Sequence, residues 1–322
     1  MSLQGDIGLG TFPFSNVFGK VTAGEADAIT HAFLDAGGTY IQTAPYYEGV
    51  DPLVGGILKG VSRDRFRIGT LCVKDRDSRI AGSRSAVLSQ CEDSLAKLGL
   101  DHIDIYLTST PEGSDVPFGE TIEAMEELRA RGKIAEIGVC NVTLEQLQEY
   151  NASGSVRYVQ NRFSILDQEQ DRSVREYCAE NGIGLIPYNV IEWGLLTSKI
   201  RGPLNLRDGD LRTRVLPVFE EEKVSVIRSW VESRLVPLAS EFSTSIEAIA
   251  IGWVISQSAV AVSPVGATSR SQIRSSLEAR ALRGNEHLLS AVDLAYQSLA
   301  ESIRSEFDLS LNEFLRNSFG LW

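Results

Sequence analysis

Residues 102–139 read HIDIYLTSTPEGSDVPFGETIEAMEELRARGKIAEIGV. A short β-branched and aromatic run, 102–108, leads into an amphipathic stretch that predicts a helix at about 117–131, and a second strand-like run follows at 134–139. Two strands joined by a helix lie parallel, because the helix carries the chain back before the next strand begins. The same unit repeats in both directions. Toward the N-terminus stand DIGLGTF (6–12), TYIQT (39–43) and RFRIGTL (65–71). The helical stretch GEADAITHAFLDAGG precedes the second of these and is stopped by Gly37-Gly38; a helix at about 82–98 follows the third. Toward the C-terminus, 134–139 precedes a short helix at about 143–150, VRYVQN (156–161) one at about 170–181, IGLIPY (183–188) helices at about 218–241 and 245–257, and AVAVSPV (259–265) one at about 270–280. Eight strand–helix units in about 280 residues predict an α/β fold, a closed (β/α)8 barrel of the TIM type. The alternative, a doubly wound open sheet, fits less well: the glycines of GDIGLG, at 5, 8 and 10, lie on a strand rather than at a helix entry. No composition shift marks a linker. One domain, 1–322, is expected, with the barrel at about 6–283 and an additional C-terminal helix (285–304) and tail in 284–322.

The 322 residues are 43% hydrophobic and 23% charged, ample for a large core. No apolar run approaches the roughly 18–20 residues of a membrane helix. The opening MSLQGDIGLGTF lacks the basic and apolar segments of a signal peptide, so a soluble cytoplasmic chain is expected. The formal net charge is −12, with no basic block. Nucleic acid and membranes are therefore not expected partners, because phosphates are held by clustered Lys and Arg. A few local groups could still hold one phosphorylated cofactor. Cys72, Cys91, Cys140 and Cys178 form no C-x-x-C pair and read as small buried apolar residues, so no metal site is expected. No pattern fixes an oligomeric state.

In such a barrel the chemistry sits at the C-terminal ends of the strands. Those ends, taken in order, resemble the aldo-keto reductase superfamily across nearly the whole chain: GLGTF (8–12), TAPYY (43–47), IDIYL (103–107) with Pro111, GKIAEIGVCN (132–141), VQNRFSIL (159–166), GIGLIPYNVIEWGLL (182–196) and VSPVGATSRSQI (262–273). GKIAEIGVCN is the most specific of these. The resemblance implies a nicotinamide dinucleotide, usually NADP(H), bound in an extended pose.

Carried over by residue, it implies that Tyr188 stacks on the nicotinamide and that Asn141 and Gln160 bind its carboxamide, each amide offering both donor and acceptor. Cys140 and Asn189 stand where the family usually has serine. Gly194, Leu195 and Leu196 match the loop over the pyrophosphate. Gly266, Ala267, Thr268 and Ser269 match the loop and helix N-terminus at the adenosine phosphate, where backbone N–H groups and the helix dipole favour an anion. Arg270 and Arg274 are expected to add charge at a 2′-phosphate, with Gln272 where the family has arginine.

The family's reaction uses Asp, Tyr, Lys and His. Here the resemblance places Tyr47 at the tyrosine, but Gln42 at the aspartate, Leu71 at the lysine and Ser109 at the histidine. His31, His102 and His287 lie away from strand C-terminal ends. Lys74 and Glu48 are the remaining candidates for a replacement. The losses are mutually consistent, because removing the lysine alone would strand a buried aspartate. Without that lysine, Tyr47 should titrate as an ordinary phenol near about 10 and serve poorly as an acid near neutrality. The resulting expectation is an NADP(H)-dependent oxidoreductase for a specialised small molecule: an activated carbonyl, an imine or iminium, or a conjugated alkene. A redox-neutral isomerase or lyase, and a nucleotide-bound regulatory subunit, are the alternatives. In the tail, Phe314, Phe319 and Trp322 either line the pocket mouth or dock the last helix.

Overall fold

The computed structural model describes residues 3–72, 81–109, 114–169, 171–201, 210–212 and 221–316. Eight strands form one parallel sheet: β1 Asp6–Gly10, β2 Tyr40–Gln42, β3 Arg67–Cys72, β4 Ile103–Ser109, β5 Ile134–Cys140, β6 Val156–Gln160, β7 Gly184–Leu185 and β8 Val262–Gly266. Their spatial order is 7-6-5-4-3-2-1-8. The ring closes where Leu185 N–H donates to Ala259 O at 2.7 Å and Ala261 N–H to Leu185 O at 2.8 Å. The expected (β/α)8 barrel is the observed one.

Around it lie α1 Ala23–Asp35, α2 Val50–Leu58, α3 Arg84–Leu98, α4 Phe118–Ala130, α5 Leu144–Tyr150, α6 Arg172–Asn181, α7 Glu221–Trp230, α8 Val236–Glu241, α9 Ile246–Ile255 and α10 Arg270–Glu278. A π-helical turn, Val231–Leu235, joins α7 to α8. Two further helices, α11 Glu286–Phe307 and α12 Leu311–Arg316, complete the described chain. Helix starts follow local chemistry. Thr22 with Glu25 and Thr143 with Gln146 form capping boxes that satisfy backbone N–H groups at α1 and α5. No single described helix is long and apolar enough to cross a membrane.

The barrel interior alternates large and absent side chains. Tyr40 on β2 is fully buried between Gly8 and Gly69 of the flanking strands. A Cβ at Gly8 would meet the Tyr40 ring at 2.8 Å, and one at Gly69 would meet its hydroxyl at 2.0 Å. On the opposite side, a Cβ at Gly184 would meet the Tyr158 ring of β6 at 2.8 Å, and one at Gly138 would meet the Leu107 side chain at 2.8 Å. The interior is thereby filled and serves as a floor rather than a pore.

Strand β7 is shorter than the sequence suggests. Pro187 has no N–H to donate, and beyond Leu185 the pairing thins to Ile186 N–H donating to Val159 O at 2.7 Å and an isolated bridge between Arg162 and Tyr188. At the far end, Phe314 is buried against Phe307 with ring centroids 5.2 Å apart, which docks α12 instead of lining a pocket mouth. Phe319 and Trp322 lie outside the described residues.

Candidate active site

A cavity of about 340 Å3 opens at the C-terminal ends of the strands. Gly10, Gln42, Leu71, Cys140, Gln160 and Gly266 bring strand ends to its wall, and Tyr47 enters from the loop after β2. Gln42 is 3% exposed. Its Oε1 accepts the Tyr40 hydroxyl and its Nε2 donates to Thr43 O at 3.1 Å. Gly69 makes room for this pair, since a Cβ there would lie 2.7 Å from Gln42 Oε1. Leu71 is buried beside Tyr47, Cys140 and Ile186 in the upper interior. Three of the four residues expected at the reacting centre therefore share the cavity. Ser109 pairs in register with Cys140 but does not line it. Glu48 is exposed and also lies off the cavity, while Lys74 falls outside the described residues.

The wall facing this neutral cluster is aromatic. Phe12 stands 4.8 Å from Tyr47 and 6.1 Å from Trp193, and Phe18 stands 5.7 Å from Trp193, centroid to centroid. Burial, reinforced by neighbouring Tyr46, pushes the Tyr47 phenol well above its ordinary range. Burial likewise pushes the Cys140 thiol up to about 12. At neutral pH both groups keep their protons. Tyr47 can donate a hydrogen bond but is a weak acid, and Cys140 is not a nucleophile.

On the other side, Tyr188 Oη donates to Asn141 Oδ1 at 2.7 Å, with Asn141 in the left-handed region at φ 55°. Asn141, Gln160 and Tyr188 all line the cavity. An aromatic face with two amides beside it suits a flat ring that carries a carboxamide.

The next loop is strained. Asn189, Glu192 and Trp193 all have positive φ (58°, 46° and 56°), followed by Gly194 at 97°. Left-handed backbone costs about 1–2 kcal/mol per non-glycine residue, so something must hold it. Glu192, fully buried, supplies that hold. Its carboxylate takes Arg162 Nη2 at 2.6 Å and the Ser164 hydroxyl. Arg162 Nε lies 3.4 Å from Asp167. Burial, opposed by Arg162, pushes the Asp167 carboxyl up to about 7. An unfolded chain would release that proton near about 3.9. The folded state therefore binds more protons between those values. Stability at this site is greatest below about pH 4 and is lost as pH rises through 7. Asp167→Asn is expected to flatten the pH dependence of the melting temperature in that window; an unchanged slope would exclude Asp167 as its source.

The far end of the cavity runs to the start of α10. Gly266, Ala267, Thr268 and Gln272 line it, whereas Ser269 is the N-cap, accepting from Gln272 N–H at 3.3 Å. Gln272 Oε1 accepts from Thr268 N–H at 2.7 Å. Arg270 and Arg274, expected from sequence at a 2′-phosphate, are exposed and do not line the cavity. The reason is helical geometry: positions 270 and 274 share one face, while 272 and 276 share the inward one. In the loop, Asn189 and Gly194 line the cavity, but Leu195 is fully buried and its N–H is spent on Glu192 O at 2.9 Å. Among the described residues the cations lining the cavity are Lys199 and Arg212, neither singled out from sequence. Arg212 is paired with Asp210 at 2.6 Å, donates to Trp193 O at 3.1 Å and lies 5.4 Å over the Phe18 ring. Lys199 follows Gly194 by five residues, a spacing that could have flagged it; Arg212 sits in a stretch with no motif.

Comparison with known proteins matches residues 6–296 to the profile of the Aldo/keto reductase family. The chain is 30% identical to the NADH-specific methylglyoxal reductase of Escherichia coli over 260 residues, 74% of this chain and 77% of that protein. It is 29% identical to the aldo-keto reductase YhdN of Bacillus subtilis over 83% of this chain and 82% of that protein. Among solved structures, a glycerol dehydrogenase from Gluconobacter oxydans superposes with TM-score 0.79 at 20% identity, covering 94% of this chain and 92% of that one. An aldo/keto reductase from Klebsiella pneumoniae, solved with NADP and acetate, superposes with TM-score 0.69 at 23% identity, covering 90% of each chain.

Proposed function

Since the chain belongs to the aldo/keto reductase family, whose members are NAD(P)-dependent oxidoreductases, we propose that it reduces small electrophiles that need little help from an acid. The observation that carries this reading is the neutral cluster of Gln42, Tyr47, Leu71 and Cys140 at one end of a cavity whose amides and Tyr188 suit a nicotinamide. The cofactor, when bound, supplies the hydride. Tyr188 and Asn141, already bonded to each other, would fix the ring, and Gln160 would contact its amide. Lys199 and Arg212 would face its phosphates. The aromatic wall of Phe12, Tyr47 and Trp193 excludes water from the reacting end and presents a flat apolar surface to substrate. The Tyr47 hydroxyl orients the acceptor by a neutral hydrogen bond.

Such a site suits an activated carbonyl, an iminium or a conjugated alkene, each of which accepts hydride without strong prior protonation. The E. coli relative is named for methylglyoxal, whose adjacent carbonyls activate each other, and this supports the first of these classes. The dinucleotide is a nicotinamide one. The expected NADP(H) is also the ligand in the Klebsiella structure, while the E. coli relative is named for NADH.

The test is oxidation of the reduced dinucleotide, followed by its absorbance. Dicarbonyls, iminium ions and enones are expected to be consumed stoichiometrically, and a simple ketone far more slowly. Tyr47→Phe should cost about two- to thirteenfold in rate, the worth of one neutral hydrogen bond of about 0.5–1.5 kcal/mol. Fast turnover of simple ketones, or a thousandfold loss in Tyr47→Phe, would restore Tyr47 as a strong acid and overturn the reading.

A further inference from the structure

The charges at the cavity's far end have a use beyond holding a diphosphate. NAD(H) and NADP(H) differ only in a phosphate on the adenosine ribose, a group of about −1.5 to −2 charges near neutrality. Discrimination between them reduces to which charge faces that ribose. Three charged side chains line the described cavity: Lys199, Arg212 and Glu247. Glu247 lies in the first turn of α9, just after the N-cap Ser245. Its carboxylate is fixed from across the cavity by Ser198, whose backbone N–H lies at 3.4 Å and whose hydroxyl lies at 3.1 Å. The N-cap Ser245 Oγ lies 3.0 Å from Ser275 Oγ of α10, and Thr268, Gln272 and Ser276 of the β8–α10 corner line the same cavity as Glu247.

We propose that Glu247 makes this protein select NAD(H) over NADP(H), by accepting a hydrogen bond from the ribose hydroxyl and repelling a phosphate at the same carbon. The assignment rests on the reading of the cavity as a dinucleotide site. The diphosphate carries two negative charges, and Lys199 and Arg212 are the cations that meet them. A further dianion at the ribose would face a carboxylate, with Arg270 and Arg274 turned outward to solvent. A hydroxyl there gains what the phosphate loses, because a carboxylate only accepts. Glu247 is thus a specificity-determining residue that touches the cofactor far from the reacting atoms.

The experiment is equilibrium titration of the full chain with NADH and with NADPH, read by nicotinamide fluorescence. NADH is expected to bind about tenfold more tightly or better, since juxtaposed like charges cost several kcal/mol. Raising the salt concentration should narrow the gap by screening. Glu247→Gln should shrink the ratio and Glu247→Lys should invert it. If either variant fails to fold, competition on the unmodified protein replaces it: adenosine diphosphate should displace NADH better than its 2′-phosphorylated analogue. Equal or tighter binding of NADPH, or a ratio unmoved by both substitutions, overturns the assignment while leaving the dinucleotide site intact. Failure of both dinucleotides to bind overturns the cavity reading itself and the assignment with it.

Discussion

Glu192→Ala is expected to lower the stability of the protein by about 3–5 kcal/mol, the usual loss when one partner of a buried ion pair is removed. Arg162, with its side chain 14% exposed, would keep its charge but lose the carboxylate 2.6 Å away. Asp167 lies farther off, at 3.4 Å from Arg162 Nε, and burial still opposes its ionisation, so it makes up only part of the lost pairing. The Ser164 hydroxyl would lose its acceptor as well. The strained turn through Asn189, Glu192 and Trp193 would then have less to hold it, so cofactor affinity should fall together with stability. Urea unfolding read beside dinucleotide titration checks both. A surface pair gives the comparison: Glu169 and Arg172 lie 3.5 Å apart in solvent, where water and salt screen the contact. If Glu192→Ala costs no more than Glu169→Ala, the buried network is not what fixes the loop.

The second large effect concerns Leu71→Lys. Leu71 is 6% exposed and packs in the upper barrel against Cys140 and Ile186. A lysine placed there alone would share the cavity wall with the neutral Gln42, Tyr47 and Cys140. We expect a loss of about 3 kcal/mol or more, with no gain in reduction of a simple ketone. Introducing Gln42→Asp, Leu71→Lys and Ser109→His together should recover part of that stability and raise simple-ketone reduction by about 10²-fold, the lower end of positioned acid–base catalysis. Steady-state rates with a simple ketone, beside thermal melts of the single and triple variants, decide the matter. Full activity from Leu71→Lys alone would show that the pocket supplies a counter-charge elsewhere.

The barrel was legible because period and order carry it. Runs such as 103–109 and 134–140, with a 3.6-period stretch between them, leave little choice of connection. Helix α2 carried a weaker signal. It holds Pro52 and two adjacent glycines, and Gly55 is required because a Cβ there would meet Leu98 O of α3 at 2.5 Å. Its cause is a packing partner over forty residues away, which no local pattern displays. The same holds at the site. Gln42, Tyr47, Cys140, Asn141, Gln160 and Tyr188 could be named because strand ends converge by rule. Arg270 and Arg274, placed through the resemblance of 262–273, lie on the outer face of α10, and their spacing already puts them opposite Gln272. Glu192 with Arg162, and Glu247 with Ser198, are pairings across loops, and only the closed ring brings them together.

The Tyr40–Gln42–Gly69 contact also restricts which substitutions are open to the pocket above it. An aspartate at 42 is one methylene shorter, so the Tyr40 hydroxyl would lose its acceptor deep in the barrel, at a cost of about 1–3 kcal/mol. Lysine at 71 is costly until that aspartate exists, and the aspartate is costly until the lysine exists. Neither first step is neutral, and Gly69 cannot take a side chain while Tyr40 keeps its place. A charged pair at 42 and 71 is therefore not reached from this arrangement by one neutral substitution at a time. Packing beneath the pocket acts as a ratchet on the chemistry above it, so descendants of this protein should diversify through the aromatic wall while the neutral floor persists.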